Sequence, residues 1–292
     1  MKTEVKKIDG TKTELFVEVS GDVVKNKFRE VFEKIGKEVK VPGFRPGHIP
    51  ADILEKNFFP QAREIVLKEL IPDVYNQAVD KEALDAVDLP DISEVKIDRA
   101  NLSFKATVEV SPRIELKKYK GILINYKKIE VIPDDVKRNI DALKEARKVD
   151  VVDDSFARSL GYPDIQELEA AVQRQIFIQK DNQQRQKIES DIIETLTGGL
   201  DFKLPESLVA RQLQDLIRQA KVDLALKGMP REKIDEQEKT ISEQLRPEAQ
   251  RQIRIYLVLA EIAKKENIPL DQHMSHKVME FLLKEAQWKE SI

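Results

Sequence analysis

The residues best suited to a chemical role lie in one short stretch, Gly43-Phe44-Arg45-Pro46-Gly47-His48-Ile49-Pro50. Its two glycines and two prolines restrict the backbone and indicate a loop. Phe44 and Arg45 stand side by side, with no evident partner in the neighbouring sequence. A large apolar ring beside a permanent cation suits a partner that offers an apolar pocket and a phosphate or carboxylate group. The stretch is therefore a candidate docking site.

Patterns for catalysis or metal binding are weaker. His273 and His276 lie close to Asp271, but no third strong ligand is near them in the sequence. The pairs Asp134-Asp135 and Asp153-Asp154 stand where helices are predicted to begin, and acidic side chains stabilise helix N-termini. No nucleophile motif or phosphate-binding loop is found. We therefore expect no catalytic residue, no metal and no cofactor.

Composition narrows the class of protein. The 292 residues allow one to three domains. Charged residues make up 35% and aromatic residues 6%, which favours long, solvated helices over one large core. A net charge of −3 argues against a protein that coats nucleic acid, so any such contact must be local. The absence of cysteine excludes disulfides and thiolate metal sites.

Two further absences bear on location. The N-terminus, beginning Met1-Lys2-Thr3, lacks the apolar run of a signal peptide. No stretch approaches the length of about 18 apolar residues that a membrane-spanning helix needs. The sequence therefore predicts a soluble, cytoplasmic protein that does not engage a membrane.

The first part of the chain has α+β patterning in the order β-β-α-α-α-β-β. Asp9-Gly10 separates two alternating runs and predicts a β-hairpin. Ser20 is the predicted N-cap of a basic helix that ends before Pro42. Two helices are predicted between residues 50 and 81, with Pro72 bending the second. Strand patterns return at 95–97 and 102–110.

The rest of the chain is mostly helical. Residues 114–132 look extended, and a helix is predicted from Pro133 to about Val149. Breaks at Gly198-Gly199, Pro205 and 228–230 divide the remainder into helices joined like the arms of hairpins. Residues 179–187 contain no apolar side chain, which predicts a helix segment surrounded by solvent. A last short helix is followed by Trp288, predicted as a packing residue or a mobile anchor.

The predicted fold class is an α+β N-terminal domain joined to an all-α C-terminal domain with helical arms, elongated and multi-domain. The expected boundaries are 1–113 for the first domain, 114–149 for a linker strand and helix, and 150–292 for the helical domain.

These residues resemble trigger factor, the bacterial ribosome-associated chaperone family. The family pattern Gly-Phe-Arg-x-Gly-Lys-x-Pro is matched at five positions: Gly43, Phe44, Arg45, Gly47 and Pro50. His48 replaces the usual lysine, and Pro46 stands where some members have another basic residue. Two further segments, 202–209 and 257–268, resemble arm sequences of the family. The resemblance covers nearly the whole chain.

One departure concerns a whole domain. Family members usually insert an FKBP-type peptidyl-prolyl isomerase between linker and arms. Here the linker helix is predicted to end near Val149, and arm sequence begins by Ser155-Phe156-Ala157. The residues between are too few for an independent domain, which rarely has fewer than about 50 residues. The chain is therefore similar to a trigger factor without isomerase activity, whether that form is natural or engineered.

The resemblance implies a ribosome-binding site at Gly43, Phe44, Arg45, Pro46, Gly47 and His48. It implies docking on protein and ribosomal RNA at the exit tunnel, and ATP-independent shielding of nascent or unfolded polypeptides from aggregation. The lysines at 25, 27, 34, 37 and 40 either add a salt-dependent contribution or form a solvated helix face. Pro46 and His48 lower the local positive charge, so we expect weaker ribosome binding than is typical. A homodimer off the ribosome is one possible assembly.

Three alternatives remain open. The first is a holdase or assembly chaperone that works without ribosomes. The second is a coiled-coil scaffold, which the interruptions at Gly198-Gly199, Pro205 and Pro230 disfavour. The third is a helical metal-dependent enzyme. For the chaperone, we expect most apolar arm residues to pack between helices and some to stay exposed and bind clients weakly. The arm residues considered are Leu213, Leu216, Ile217, Ile255, Leu257 and Leu259.

Overall fold

The computed structural model describes residues 1–42, 44, 47–116 and 118–291. Within it the chain forms two compact units, each built from segments distant in sequence. Unit 1 contains 1–114 and 201–257, and unit 2 contains 115–200 and 258–292. The predicted domains are continuous segments with boundaries at 113 and 149, whereas each unit combines two segments. The two divisions are of different kinds, so the predicted boundaries stay a prediction.

Unit 1 contains an antiparallel sheet of four strands. The strands are β1 (Lys2–Lys7), β2 (Lys12–Ser20), β3 (Asp91–Ile97) and β4 (Asn101–Glu109), in the spatial order β1-β2-β4-β3. The predicted hairpin at Asp9-Gly10 is confirmed. The Asp9 carboxylate accepts hydrogen bonds from the amides of Thr11 and Lys12, each at 2.8 Å, and so fixes the turn.

One face of this sheet forms the core of unit 1. The alternating apolar side chains of the central strands β2 and β4 are buried. They are Leu15, Val17, Val19, Leu102, Phe104, Ala106 and Val108. Two helices cover them, α1 (Asp22–Glu38) and α2 (Ala51–Lys81). The α1–α2 pair therefore rests on a rigid base.

The start of α1 differs from the prediction. Ser20 is the last residue of β2, and the N-cap position is occupied by Gly21, which makes no side-chain cap. Gly21 has a φ of 89°, a conformation that favours glycine, and its amide donates to the carbonyl of Ala100 at 2.8 Å. The Ser20 prediction was wrong because the strand pairing, which is not local, extends the sheet through this residue.

The helix α2 is also different from the prediction of two helices. It is a single helix of 31 residues that contains Pro60 and Pro72. A proline inside a helix costs about 3 kcal/mol. A buried row at every fourth position runs past Pro72, and its packing on the core offsets that cost. The row consists of Ala62, Val66, Leu70, Val74 and Ala78. The element order is thus β-β-α-α-β-β.

Unit 1 also contains helices from the second half of the chain. These are α6 (Glu206–Leu226), α7 (Arg231–Glu236) and the first part of α8 (Glu238–Lys265). A single helix from Arg231 to Lys265 was predicted, but a break at Gln237 separates α7 from α8. The side-chain amide of Gln212 on α6 donates to the side-chain oxygen of Gln252 on α8 at 2.7 Å, so the two helices are in direct contact.

Unit 2 is mainly helical. It contains β5 (Leu123–Tyr126), α3 (Pro133–Arg147), α4 (Asp154–Ser159), α5 (Ile165–Thr197), the end of α8, α9 (Met274–Glu285) and β6 (Gln287–Glu290). The buried residues Ile140, Phe156, Leu168, Val172 and Ile176 form one of its clusters. The predicted fold class, α+β followed by helices, is confirmed.

Two details of unit 2 concern its last strand and its polar segment: the strand was not predicted, whereas packing was one of the two roles predicted for Trp288. The strand β6 pairs in parallel with β5, and Trp288 on β6 packs edge-on against Tyr126 with ring centroids 5.9 Å apart. The polar segment 179–187 is not free on all sides. Lys180 bonds Asp135 at 2.6 Å, and the side-chain oxygen of Gln184 accepts from the amide of Lys127. Residues 179, 182, 183 and 185–187 are exposed, as predicted for a segment that projects into solvent, while Lys180 and Gln184 also pair with a neighbouring segment.

Candidate functional site

The candidate docking loop connects α1 to α2. Phe44 keeps 38% of its surface exposed, and its amide donates to the carbonyl of Val41 at 3.1 Å. His48 is also exposed. Gly43, Arg45 and Pro46 lie outside the described residues, so their assignment to the site stays a prediction from sequence. A large aromatic ring is thus presented to solvent at the centre of the predicted site.

Both ends of the loop are anchored. On the α1 side, the amide of Val39 donates to the carbonyl of Ile35 at 2.9 Å. On the α2 side, the amide of Gly47 donates to the carbonyl of Gly36 at 2.8 Å. Ile49 is only 9% exposed and belongs to the core of unit 1. These anchors were not predicted from the sequence, although an apolar residue between two turn residues was a usable signal for Ile49.

Gly47 has a special backbone. Its φ is 82°, in the left-handed region, and a Cβ added there would meet no atom within 4 Å. The requirement for glycine is therefore conformational rather than steric. Three residues later Pro50 occupies the N-cap position of α2, and its carbonyl accepts from the amides of Ile53 and Leu54, each at 3.1 Å. The loop thus leads into α2 through a defined turn.

The basic face of α1 is partly committed to α2. The Lys27 ammonium lies 2.8 Å from the Glu69 carboxylate, and Lys34 lies 3.3 Å from it. The hydrogen bond from Lys27, followed by that from Lys34, lowers the pKa of Glu69, and the same bond raises the pKa of Lys27. Lys25, Lys37 and Lys40 are exposed. Of the five lysines considered from the sequence, these three are the better placed for a distant anionic partner.

Exposed apolar side chains mark two further surfaces. In unit 1 the exposed apolar residues include Val222 (53% exposed) and Leu226 (81%) on α6 and Tyr256 (46%) on α8. In unit 2, Phe177 and Ile178 on α5 are half exposed and, with Ile129 and Val131, line a shallow cavity of about 440 Å³. In each unit, a few exposed apolar side chains of this kind suit weak contacts to many apolar segments.

The predicted arm residues divide into two groups. Leu257 and Leu259 on α8 are buried, with 3% and 4% exposed. The other four are partly exposed: Leu213, Leu216, Ile217 and Ile255. The most exposed apolar residues of α6 and α8 were not predicted, because periodicity identifies an apolar stripe but not its uncovered end.

The acidic pairs and histidines have structural partners. The carboxylate of Asp153 accepts from the amide of Phe156 at 2.9 Å and caps α4. Asp135 bonds Arg138 and Lys180, and the Lys180 hydrogen bond lowers its pKa. His276 lies 3.6 Å from Glu280. No group of three metal-ligating side chains is found in the described ranges.

Comparison with known protein families gives two matches along the chain. The model described as "Bacterial trigger factor protein (TF)" matches residues 1–143. The model described as "Bacterial trigger factor protein (TF) C-terminus" matches residues 164–291. The residues between the two matched regions are 144–163, which hold the end of α3, a connection and α4.

Several trigger factors are similar over long stretches. The protein of Solibacter usitatus is 26% identical, covering 89% of this chain and 85% of its own length. That of Halothermothrix orenii is 23% identical, covering 99% and 92%. These alignments run over 358 and 398 positions, more than the 292 residues of this chain. Both relatives therefore contain residues within the aligned region that have no counterpart here.

One further relative and one solved structure are also similar to this chain. The trigger factor of Natranaerobius thermophilus is 35% identical over 50% of this chain and 33% of its own length. A solved trigger factor chaperone, described for promiscuous substrate recognition in folding and assembly activities, is 12% identical. It has a TM-score of 0.57 and covers 98% of this chain and 100% of its own. That likeness supports the fold. Among the described residues, no helix is both long and apolar enough to cross a membrane.

Proposed function

The chain belongs to the bacterial trigger factor family, and we propose that it is an ATP-independent chaperone that docks at the ribosomal exit through Phe44 and Arg45. The observation that carries the proposal is the exposed Phe44 ring on a loop anchored at Val39, Gly47 and Ile49. An aromatic side chain has few rotatable bonds and so loses little conformational entropy when it enters a pocket, which makes Phe44 suited to be a binding hot spot.

Arg45 and the exposed lysines of α1 make the electrostatic contacts in the proposed docking. A guanidinium group binds carboxylate or phosphate with two parallel hydrogen bonds. Lys25, Lys37 and Lys40 add contacts to ribosomal RNA phosphates that weaken as salt increases. With Pro46 and His48 in place of more basic residues, the salt-dependent part is small. We infer an affinity for ribosomes that is weaker than is typical of the family.

Client binding is assigned to the exposed apolar residues of the helices. Val222, Leu226 and Tyr256 in unit 1, and Phe177 and Ile178 in unit 2, offer separate apolar contacts. Each contact is small, so binding is weak and release needs no nucleotide. Clients are recognised by exposed apolar side chains rather than by a sequence motif. Emerging and unfolded polypeptides have this property.

We propose that the chain has no prolyl isomerase activity. The 20 residues from 144 to 163 separate the two regions matched to the family. That length is far below the roughly 50 residues of a small independent domain. A clear rate enhancement on a prolyl peptide substrate would refute this part of the proposal and leave docking untouched. The proposed location is the cytoplasm, where ribosomes and nascent chains are found.

A direct test places a photo-cross-linker at position 44. In purified ribosomes, the protein with the cross-linker should form adducts with ribosomal components at the exit. The matched control carries it at Leu89, which is 88% exposed in the same unit. Adducts from position 89 but not from position 44 would contradict docking through the loop.

A second candidate is a holdase or assembly chaperone that works without ribosomes. The replacement of basic residues by Pro46 and His48 favours it. The two functions differ in where clients are captured. Client cross-linking in extracts with and without ribosomes distinguishes them, because a ribosome-docked chaperone loses its short nascent clients when ribosomes are removed.

A further inference from the structure

An apolar groove lies between α1, the start of α2 and the end of the docking loop. Its cavity has a volume of about 740 Å³. Phe28, Phe32, Ile49 and Leu54 form the apolar lining. Phe28 stacks on Phe59 with ring centroids 5.5 Å apart and planes 6° from parallel. The floor is therefore firm, and the volume exceeds what one side chain of a partner would fill.

The rim of the groove along α1 is a single row of charged residues. Lys25, Arg29, Glu33 and Lys37 recur at every fourth position, so they lie on one face of the helix. The apolar residues Phe28 and Phe32 form the adjacent row. From Lys25 to Lys37 the row extends about 18 Å along the helix axis. The groove thus presents a mostly cationic row about three helical turns long beside an apolar row, Phe28 and Phe32, that covers about one turn.

The opposite rim adds another cation. Arg99 lies over the ring of Phe59, 5.9 Å from its centroid, and pairs with Glu55 at 3.2 Å. That pair cancels the charge of Glu55, which also lines the groove. Within the part of the chain that the structure describes, Lys25 and Lys37 have no carboxylate partner. Three cations of α1 against one carboxylate leave the groove with a net positive charge.

We propose that this groove is a binding site for an acidic amphipathic helix of about three turns, contributed by a partner protein. Its apolar face, with anchors three and four residues apart, lies on Phe28, Phe32, Ile49 and Leu54. Its carboxylates lie along Lys25, Arg29 and Lys37. The length of the charged row on α1 and its net positive charge carry the proposal. A helix also satisfies its own backbone hydrogen bonds, so it can enter an apolar groove without leaving polar groups unpaired.

The proposal goes beyond ribosome docking and does not rest on it. The docking loop presents Phe44 outward, whereas the groove is lined by α1, the start of α2 and the end of the loop at Gly47 and Ile49. Lys25 and Lys37 are shared with the proposed contacts to ribosomal RNA, so a partner helix and a ribosome would compete for these two lysines. The test below contains no ribosomes, so its result does not bear on docking.

The test uses a fluorescein-labelled peptide of about 14 residues, roughly four helical turns. It carries leucines at helical spacing with glutamates on the flanks, and anisotropy is measured at low salt. A second peptide has every glutamate replaced by lysine. Wild-type protein should bind the acidic peptide saturably and the basic peptide at least about tenfold more weakly. Equal binding of both peptides, or binding of neither, would overturn the proposal.

Two variants locate the binding. Lys25→Glu/Arg29→Glu reverses the charge of the α1 rim and should weaken binding of the acidic peptide by at least about tenfold. Lys7→Glu/Lys96→Glu makes the same charge change at exposed positions outside the groove and should bind like wild type. Ala51→Trp occludes the groove without a charge change and should also prevent binding. Circular dichroism melts check that each variant is folded.

Other occupants give different results. If Lys25→Glu/Arg29→Glu binds the acidic peptide as well as wild type and Lys7→Glu/Lys96→Glu do, the peptide is held by apolar helix surfaces elsewhere and the proposal is wrong. Saturable binding of oleate that Lys25→Glu/Arg29→Glu abolishes, without peptide binding, would assign the groove to a lipid and also overturn it.

Discussion

The amide of Gly47 donates a 2.8 Å hydrogen bond to the carbonyl oxygen of Gly36, which lies in the last turn of α1. This bond returns the docking loop to the helix it has just left. At Gly36 an added Cβ would lie 3.0 Å from Leu54 Cδ1, so the absence of a side chain lets α2 approach α1 closely. The position of Phe44 thus depends on two glycines with different roles.

Replacement of Gly47 by alanine should disturb the loop. Its φ of 82° costs an L-residue about 1 kcal/mol or more, and the added methyl group meets no neighbour. We expect ribosome binding to fall several-fold while the melting temperature changes by only a few degrees. Gly10→Ala is the matched control, since it also has open space around it and lacks a positive φ. An unchanged affinity for Gly47→Ala would show that the loop does not need this backbone.

A buried hydroxyl gives a stability prediction. Tyr75 is 8% exposed, and its hydroxyl has no hydrogen-bond partner among the described residues. Burial also raises the pKa of Tyr75. An unpaired buried polar group costs about 1–3 kcal/mol, so Tyr75→Phe should raise the free energy of unfolding or leave it unchanged.

Urea denaturation measures the effect of Tyr75→Phe. Tyr256→Phe, at a 46% exposed tyrosine, should have little effect and serves as the control. A loss of stability above about 1 kcal/mol in Tyr75→Phe would mean that the hydroxyl has a partner in solution.

The pair Asp9–Lys203 predicts a pH dependence of unit 1. The hydrogen bond from Lys203, at 2.6 Å, and those from the amides of Thr11 and Lys12 lower the pKa of Asp9 well below 3.8. A lowered folded-state pKa means that Asp9 stabilises the folded state above its unfolded-state pKa. That contribution is lost as the pH falls below about 4. Asp9→Asn should therefore be less stable than wild type at neutral pH, and the difference should shrink in acid.

The measurement is the urea midpoint of wild type, Asp9→Asn, Lys203→Met and the double variant between neutral and acidic pH. The double-mutant cycle isolates the pair, because the amide hydrogen bonds are common to wild type and Lys203→Met. A difference between wild type and Asp9→Asn that stays constant at all pH values would contradict the assignment to the charged carboxylate.

Client shielding should depend on the exposed apolar residues of α6 and α8. The triple variant Val222→Ser/Leu226→Ser/Tyr256→Ser removes apolar surface that is already in contact with water, so it should fold normally. We expect severalfold weaker suppression of aggregation, measured by light scattering of a refolding client. Leu89→Ser removes an equally exposed leucine elsewhere in unit 1 and should suppress aggregation like wild type. Equal activity of the triple variant would exclude these three residues as client contacts.

Local sequence signals predicted the elements that local interactions determine. Asp9-Gly10 identified the hairpin, and alternation identified β2 and β4. The helix α2 was divided wrongly because its continuity past Pro72 depends on packing against the sheet. The strand β6 was missed because its partner β5 lies about 160 residues earlier in the chain.

The candidate site shows the same limit. Composition identified the loop and its exposed Phe44. The burial of Ile49 and the bond between Gly47 and Gly36 depend on the return of α2 toward α1, which no local pattern encodes. The engagement of Lys27 and Lys34 by Glu69 is likewise a contact between helices.

Co-sedimentation with purified ribosomes tests the central claim most directly. Wild type is compared with Phe44→Ala/Arg45→Ala, and with Leu89→Ala/Lys96→Ala as a matched pair of one apolar and one basic residue elsewhere in unit 1. Removal of the ring and the adjacent cation should reduce pelleting at least about tenfold, whereas the control pair should pellet like wild type. Equal pelleting of all three proteins would contradict ribosome docking through this loop.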